Sequence, residues 1–136
     1  MKITGKCHCG EIAYEAEIDP EKVGICHCSD CQVLSASAFR TVAIAPAGSF
    51  KLTKGQLKTY VKVAESGSKR IQTFCPECGS AIYATNADGT PGAYSIRLGT
   101  AHQRRDLNPK FECWTQSALP WHSETAGTMK FKRCPK

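Results

Sequence analysis

Seven of the nine cysteines in this 136-residue chain stand in three tight clusters: Cys7-His8-Cys9-Gly10, Cys26-His27-Cys28-Ser29-Asp30-Cys31 and Cys75-Pro76-Glu77-Cys78-Gly79-Ser80. Such clusters either cross-link the chain by disulfides or hold a metal. The opening residues, Met1 to Lys6, lack the apolar core of a signal peptide, and no apolar run approaches the roughly 18 residues of a membrane span. A cytoplasmic chain is therefore expected, and structural disulfides are rare in that compartment. The odd cysteine count and the gaps of one or two residues also favour a metal. Sulfur donors select zinc, an iron–sulfur cluster or Cu(I) over magnesium or calcium. Iron–sulfur clusters want four ligands, often in one compact run, so pairs set far apart point to zinc.

The clusters divide four plus three. Cys26, Cys28 and Cys31 make a three-thiolate set within six residues. Cys7 and Cys9, taken with Cys75 and Cys78, complete a four-cysteine set across the chain. A structural zinc is closed by four protein ligands, whereas a catalytic zinc keeps three and an open position. The expectation is two zinc ions per chain, with Cys113 left as a core residue on a strand and Cys134 as a free thiol. A closed alternative remains, in which the three-cysteine set takes a fourth ligand from His27, His102, Cys113 or Cys134.

The rest of the chain reads as strands. Ile12, Tyr14, Ala16 and Ile18 alternate with residues that include Glu11, Glu15 and Glu17, the pattern of a half-buried strand with an acidic outer face. Further strand signals fall at 39–45, 50–52, 57–63, 71–74, 81–84, 94–98 and 111–114, with turns at Asp19-Pro20, Pro46-Ala47-Gly48, Ser66-Gly67-Ser68 and the Gly/Pro-rich stretch 86–92. Only residues 29–35 suggest a helical turn. One mainly β, zinc-stabilised domain spanning 1–136 follows, with neither repeat nor linker.

The three cysteine clusters, in this order, resemble the glutathione-dependent formaldehyde-activating enzymes, a family that also includes the centromere protein V domain. The resemblance extends to Tyr60, Pro109 and Pro120-Trp121. It implies several small antiparallel sheets, a structural zinc on Cys7, Cys9, Cys75 and Cys78, and a catalytic zinc on Cys26, Cys28 and Cys31. It also implies carbon–sulfur lyase chemistry on an adduct of glutathione with formaldehyde. The chain departs from the family pattern at Glu112, where many members carry His, and near Ala118, where a basic residue is common. If those positions contact substrate in other members, this chain prefers a different thiol adduct.

A zinc held by three thiolates carries a formal charge of about −1, which makes its bound water a poor acid and favours an incoming thiol at the open position. The expected substrates are a thiol such as glutathione and a small aldehyde. The same open zinc would serve a thiol carrier without turnover, and a closed one would serve a zinc-stabilised interaction module. No general base stands out. His8 and His27 lie between ligands and are expected to point away from the metals, His102 and His122 read as ordinary histidines, and Asp30 as a backbone cap. Arg40, Lys69, Arg70, Arg97, Arg104 and Arg105 are candidates for a glutathione carboxylate, though each is expected to be an ordinary solvated charge. The formal net charge of +6 falls to about +3 once two zinc ions and seven thiolates are counted. Without a dense basic stripe, nucleic-acid binding ranks well below catalysis.

Overall fold

The computed structural model describes residues 1–134; Pro135 and Lys136, which end the basic tail, lie outside the described residues. The chain order is β1 (Lys2–Lys6), β2 (Ala13–Glu17), β3 (Val23–Cys26), α1 (Ser29–Ser35), β4 (Arg40–Ala45), β5 (Phe50–Lys54), β6 (Lys58–Val63), β7 (Lys69–Phe74), β8 (Ala81–Asn86), β9 (Tyr94–Arg97), β10 (Phe111–Cys113) and β11 (Met129–Lys130). Short 3₁₀ turns interrupt the connections, as at Leu98–Thr100 and Thr115–Ser117. Among the described residues, no helix is long and apolar enough to cross a membrane.

The mainly β expectation holds, and the strands gather into two sheets. The smaller has the order β1-β2-β5, and the larger has the order β11-β10-β3-β4-β9-β8-β7-β6. All pairings are antiparallel except those of β10, which runs parallel to both β3 and β11. The long connection 114–128 supplies the crossover that a parallel β10–β11 pair requires. Strands β1, β3 and β11 were not legible in the sequence. β1 contains Gly5 and has a lysine at each end, β3 is a four-residue run containing Gly24, and β11 is two residues long.

Residues facing one another across a pleated sheet share a face, and alternate residues along a strand share it too. On one face of the large sheet, Val23 faces Ala43, Ala43 faces Ile96, and Ile96 faces Tyr83. These residues pack in the core with Ile3, Tyr14 and Ala16 of the small sheet. An aromatic cluster joins the two sheets: the ring of Phe50 lies 5.1 Å from that of Tyr14, 4.7 Å from Tyr83 and 5.4 Å from Tyr94. The opposite face carries a different row. Cys26 faces Arg40, Arg40 is two residues from Val42, Val42 faces Arg97, and Gln72 faces both Tyr60 and Ala84. Helix α1 lies over this second face, held at its start by an Asp30–Lys62 ion pair of 3.0 Å.

Gly5, just ahead of the first cysteine cluster, sits under the Tyr14 ring and bridges to Ala101. A Cβ there would fall 2.4 Å from the Tyr14 ring and 2.5 Å from the Thr100 carbonyl oxygen, which is backbone and cannot swing aside. Tyr14 is itself fixed by a 2.8 Å hydrogen bond to the Thr100 hydroxyl. Gly5→Ala is expected to lower stability by about 1–3 kcal/mol in urea denaturation, the usual cost of overpacking.

Candidate metal centres and the cavity between them

Cys7 and Cys9 lie on the turn after β1, and Cys75 and Cys78 on the turn between β7 and β8. The fold brings these four sulfurs within 4.8 Å of one another. Cys7 Sγ lies 3.6 Å from Cys9 Sγ, and Cys9 Sγ lies 3.7 Å from Cys75 Sγ. Four sulfurs placed tetrahedrally about 2.3 Å from one zinc stand about 3.8 Å apart, so the donor set fits that ion. Both turns are built for it. Gly79 adopts φ +78°, a left-handed conformation that reverses the chain, and its N–H donates to the Cys75 carbonyl at 2.9 Å. The Ile12 N–H donates to Cys7 Sγ at 3.2 Å. Ser80 Oγ accepts from the His8 N–H at 3.1 Å and lies 3.3 Å from Cys78 Sγ, so one hydroxyl joins the two turns. That hydroxyl, with the Ser80 N–H, draws the Cys78 thiol down to about 5. The Glu11 N–H pulls the Cys9 thiol down, but desolvation and the adjoining sulfurs prevail and push it up to about 12.

Cys26 ends β3, while Cys28 and Cys31 open α1; their sulfurs also lie within 4.8 Å of one another. Cys28 caps the helix, its sulfur accepting from the Cys31 N–H at 3.3 Å. Asp30 is therefore not the cap: it faces solvent and pairs with Lys62. Gln32 braces the loop, its Nε2 donating to the carbonyls of His27 (2.8 Å) and Ser117 (3.0 Å). The three sulfurs divide their charge unequally. Hydrogen bonds from Cys26 and Cys31 hold the Cys28 thiol far below its usual value. Cys26 is pushed up, first by Cys113 and then by Cys28, and Cys31 is pushed up first by Cys26. A cation among the three would let them ionise together.

Among the described residues, no fourth cysteine, histidine or carboxylate joins this group. Cys113 neighbours Cys26 across the parallel β3–β10 pair and its sulfur touches that of Cys26, but it does not come within 4.8 Å of all three sulfurs, and it also donates to the Ile25 carbonyl at 3.4 Å. His102 Nδ1 bonds the Thr4 hydroxyl at 2.9 Å, and Cys134 Sγ accepts from Trp114 Nε1 at 3.1 Å.

His27 turns away from the sulfurs and into the protein, where sequence reasoning missed a buried cluster. Its Nε2 lies 2.9 Å from Glu112 Oε1, and His122 Nε2 lies 3.4 Å from the same oxygen. Glu112 Oε2 accepts from the Thr128 hydroxyl at 2.6 Å and faces Lys130 Nζ at 3.4 Å. His27 and Glu112 are each 1% exposed. The position at which the chain departs from the family pattern is thus an internal anchor, and it does not line the cavity described below. Burial raises the Glu112 pKa, but the bonds from Thr128, His27, His122 and Lys130 together bring it down to about 2. With the folded-state value below the unfolded one, its contribution to stability is complete above about pH 4.5 and fades as pH falls toward 2. Glu112→Gln is expected to cost about 1–3 kcal/mol near neutral pH, and the gap from wild type in urea midpoints should narrow below about pH 4.5.

The arginines correct the sequence reading most. Lys69, Arg104 and Arg105 are exposed, as expected, and Arg70 is half-buried, its Nη1 bonding Asn86 Oδ1 at 2.9 Å. Arg40 and Arg97, by contrast, are 7% and 8% exposed. Sheet register carries them inward, since Arg40 faces Cys26 and Arg97 faces Val42 on the face that α1 covers. They line a cavity between α1 and the sheet, bounded by Leu34, Phe39, Arg40, Thr41, Gly79 and Arg97. An adjoining cavity of about 390 Å³, lined by Leu34, Arg40, Tyr60, Gln72 and Phe74, also reaches Gly79. The hollow therefore runs from the helix that bears Cys31 to the turn that bears Cys75 and Cys78.

Comparison with known proteins agrees with this architecture. The sequence profile described as glutathione-dependent formaldehyde-activating enzyme matches residues 2–117. The chain belongs to that family. An uncharacterized lyase of Schizosaccharomyces pombe is 29% identical over 86 residues, covering 62% of this chain and 58% of the relative, so the chain spans little more than half the length of that curated protein. The crystal structure of a Rhodobacter sphaeroides protein shares the fold with a TM-score of 0.60 at 22% identity, over 77% of this chain and 94% of the other.

Proposed function

We propose that the chain, acting as one domain, is a zinc-dependent carbon–sulfur lyase that makes and breaks the adduct of a thiol such as glutathione with a small aldehyde such as formaldehyde. Zinc on Cys7, Cys9, Cys75 and Cys78 is structural in this reading, and zinc on Cys26, Cys28 and Cys31 is catalytic. One observation carries it: three sulfurs converge where β3 meets α1, next to the Arg40 that lines the cavity, and among the described residues no fourth protein donor comes within 4.8 Å of all three. Family membership and the lyase name of the fission-yeast relative support the reaction class.

Zinc in the three-sulfur set would supply a Lewis acid with one open position, the chemistry that lowers the pKa of an incoming thiol. The chain's own residues do the rest. Cys28 and Cys31 are held by the first turn of α1, and Gln32 fixes that turn to the loop before it and to the 115–117 turn. His27 and Glu112 pin the middle of the ligand loop from inside. In the forming direction, the thiol sulfur adds to the aldehyde carbon, and the thiol proton ends on the new hydroxyl. In the reverse direction the carbon–sulfur bond breaks, the hydroxyl proton returns to sulfur, and the aldehyde leaves.

The test is exchange NMR of glutathione and formaldehyde with zinc-loaded protein. Interconversion of free glutathione and S-hydroxymethylglutathione faster than the uncatalysed rate is expected. Tight thiol binding with no acceleration would make the protein a carrier.

A further inference from the structure

Arg40 and Arg97 form an unusual pair. Both residues are more than nine-tenths buried, and among the described residues neither forms an ion pair with an Asp or Glu. They share one neutral acceptor: Gln72 Oε1 receives Arg40 Nη1 at 3.4 Å and a much shorter hydrogen bond from Arg97 Nη2. Arg97 Nε is buried without a partner. A buried cation is ordinarily paired, because removing a charge from water is costly and a neutral amide offsets little of that cost. Two cations on a single amide oxygen leave most of their donors free, and guanidinium donors are arranged to grip a carboxylate in bidentate fashion.

The nearest anionic groups are the sulfurs of the three-cysteine set, since Arg40 faces Cys26 across β3 and β4. Burial, then Arg40, depresses the Arg97 guanidinium to about 9, while the sulfurs of Cys31 and Cys26 work in the opposite direction. A three-thiolate zinc would carry a formal charge of about −1 against two guanidinium charges, which leaves about one positive charge uncompensated beside the cavity. One carboxylate would balance it.

We infer that Arg40, Arg97 and Gln72 form the carboxylate-binding subsite of this protein, which makes it selective for thiols that bear a carboxylate. The thiol end of that ligand rests on the function proposed above; the carboxylate end does not. Arg40 lines the cavity and faces Cys26 across β3 and β4, so a ligand whose sulfur reaches Cys26, Cys28 and Cys31 would pass its chain along α1 and Leu34 and place an acid group on the guanidiniums. Substrates with the same thiol and no acid lose that contact.

Two probes separate the two ends, each measured by titration calorimetry on the zinc-loaded full chain. S-methylglutathione keeps the carboxylates but has no free thiol. Glutathione diethyl ester keeps the thiol but has no carboxylate. Wild type is expected to bind both. Arg97→Met removes one guanidinium, and Gln72→Glu supplies the pair with an internal carboxylate that occupies the subsite. Both variants should weaken S-methylglutathione about tenfold or more and leave the ester unchanged. Gln72→Glu should also raise Tm, so loss of binding in that variant cannot be ascribed to a damaged fold. Wild type that fails to bind S-methylglutathione, or a Gln72→Glu variant that binds it as wild type does, would overturn the subsite. Failure of the ester alone to bind wild type would contradict the thiol–zinc reading and leave the arginine subsite standing.

Discussion

Cys78→Ser is expected to leave the chain without a cooperative fold at 25 °C. Cys7 and Cys9 stand at the end of the small sheet, and Cys75 and Cys78 stand between two strands of the large one. The four sulfurs therefore join the two sheets at one point. A structural zinc contributes about 10–16 kcal/mol, as much as the roughly 5–15 kcal/mol by which whole domains are stable. Loss of even part of that contribution exceeds what an ordinary core substitution removes. Far-ultraviolet circular dichroism under urea should show a broad, non-cooperative change for the variant, and chelator added to wild type should reproduce it. Cooperative unfolding with the four-cysteine set emptied would show that the aromatic cluster and the sheet ladders suffice without metal.

Cys28→Ser should do the reverse, abolishing activity and sparing the fold. Serine replaces the sulfur as helix cap without loss, because hydroxyls are preferred acceptors at that position. The Gln32 bridges and the His27–Glu112 contact still hold the loop. What is lost is one ligand of three. Lewis-acid stabilisation is worth several kcal/mol, and each 1.4 kcal/mol is a factor of ten in rate. A fall in kcat/KM of at least about 10³, with a Tm within a few degrees of wild type, is expected. If Cys28→Ser and Cys78→Ser lost fold and activity to the same extent, the assignment of separate roles to the two sets would be wrong.

Much of this was legible in the sequence because both its strand and its ligand signals are local. Alternation at Tyr14 and Ala16, or at Phe50 and Leu52, survives into β2 and β5 because one face of each strand meets the core. Residues 29–35 form α1 as expected, since the spacing of Cys28 and Cys31 suits a first helical turn. Pairing of the first and third clusters followed from counting, and the fold brings those four sulfurs together.

What could not be read depends on contacts between distant segments. An arginine on a strand looks solvated until register places it opposite Cys26 and under a helix, as happens to Arg40. Glu112 sits between Phe111 and Cys113, so alternation alone would send its side chain outward. It points inward because β10 runs parallel to β3, which brings Glu112 beside Ile25 and within reach of His27, while β11 and the preceding residues deliver Lys130 and Thr128. Neither β11 nor the parallel register leaves a signal in a window of a few residues.

The most direct test of the account is an anomalous difference map at the zinc edge, collected on crystals of protein loaded with zinc and soaked with glutathione. Two peaks per chain are predicted, one enclosed by Cys7, Cys9, Cys75 and Cys78, the other held by Cys26, Cys28 and Cys31 with the glutathione sulfur as its fourth ligand. A single peak, or a second one closed by Cys113 or any other side chain of the protein, would contradict it.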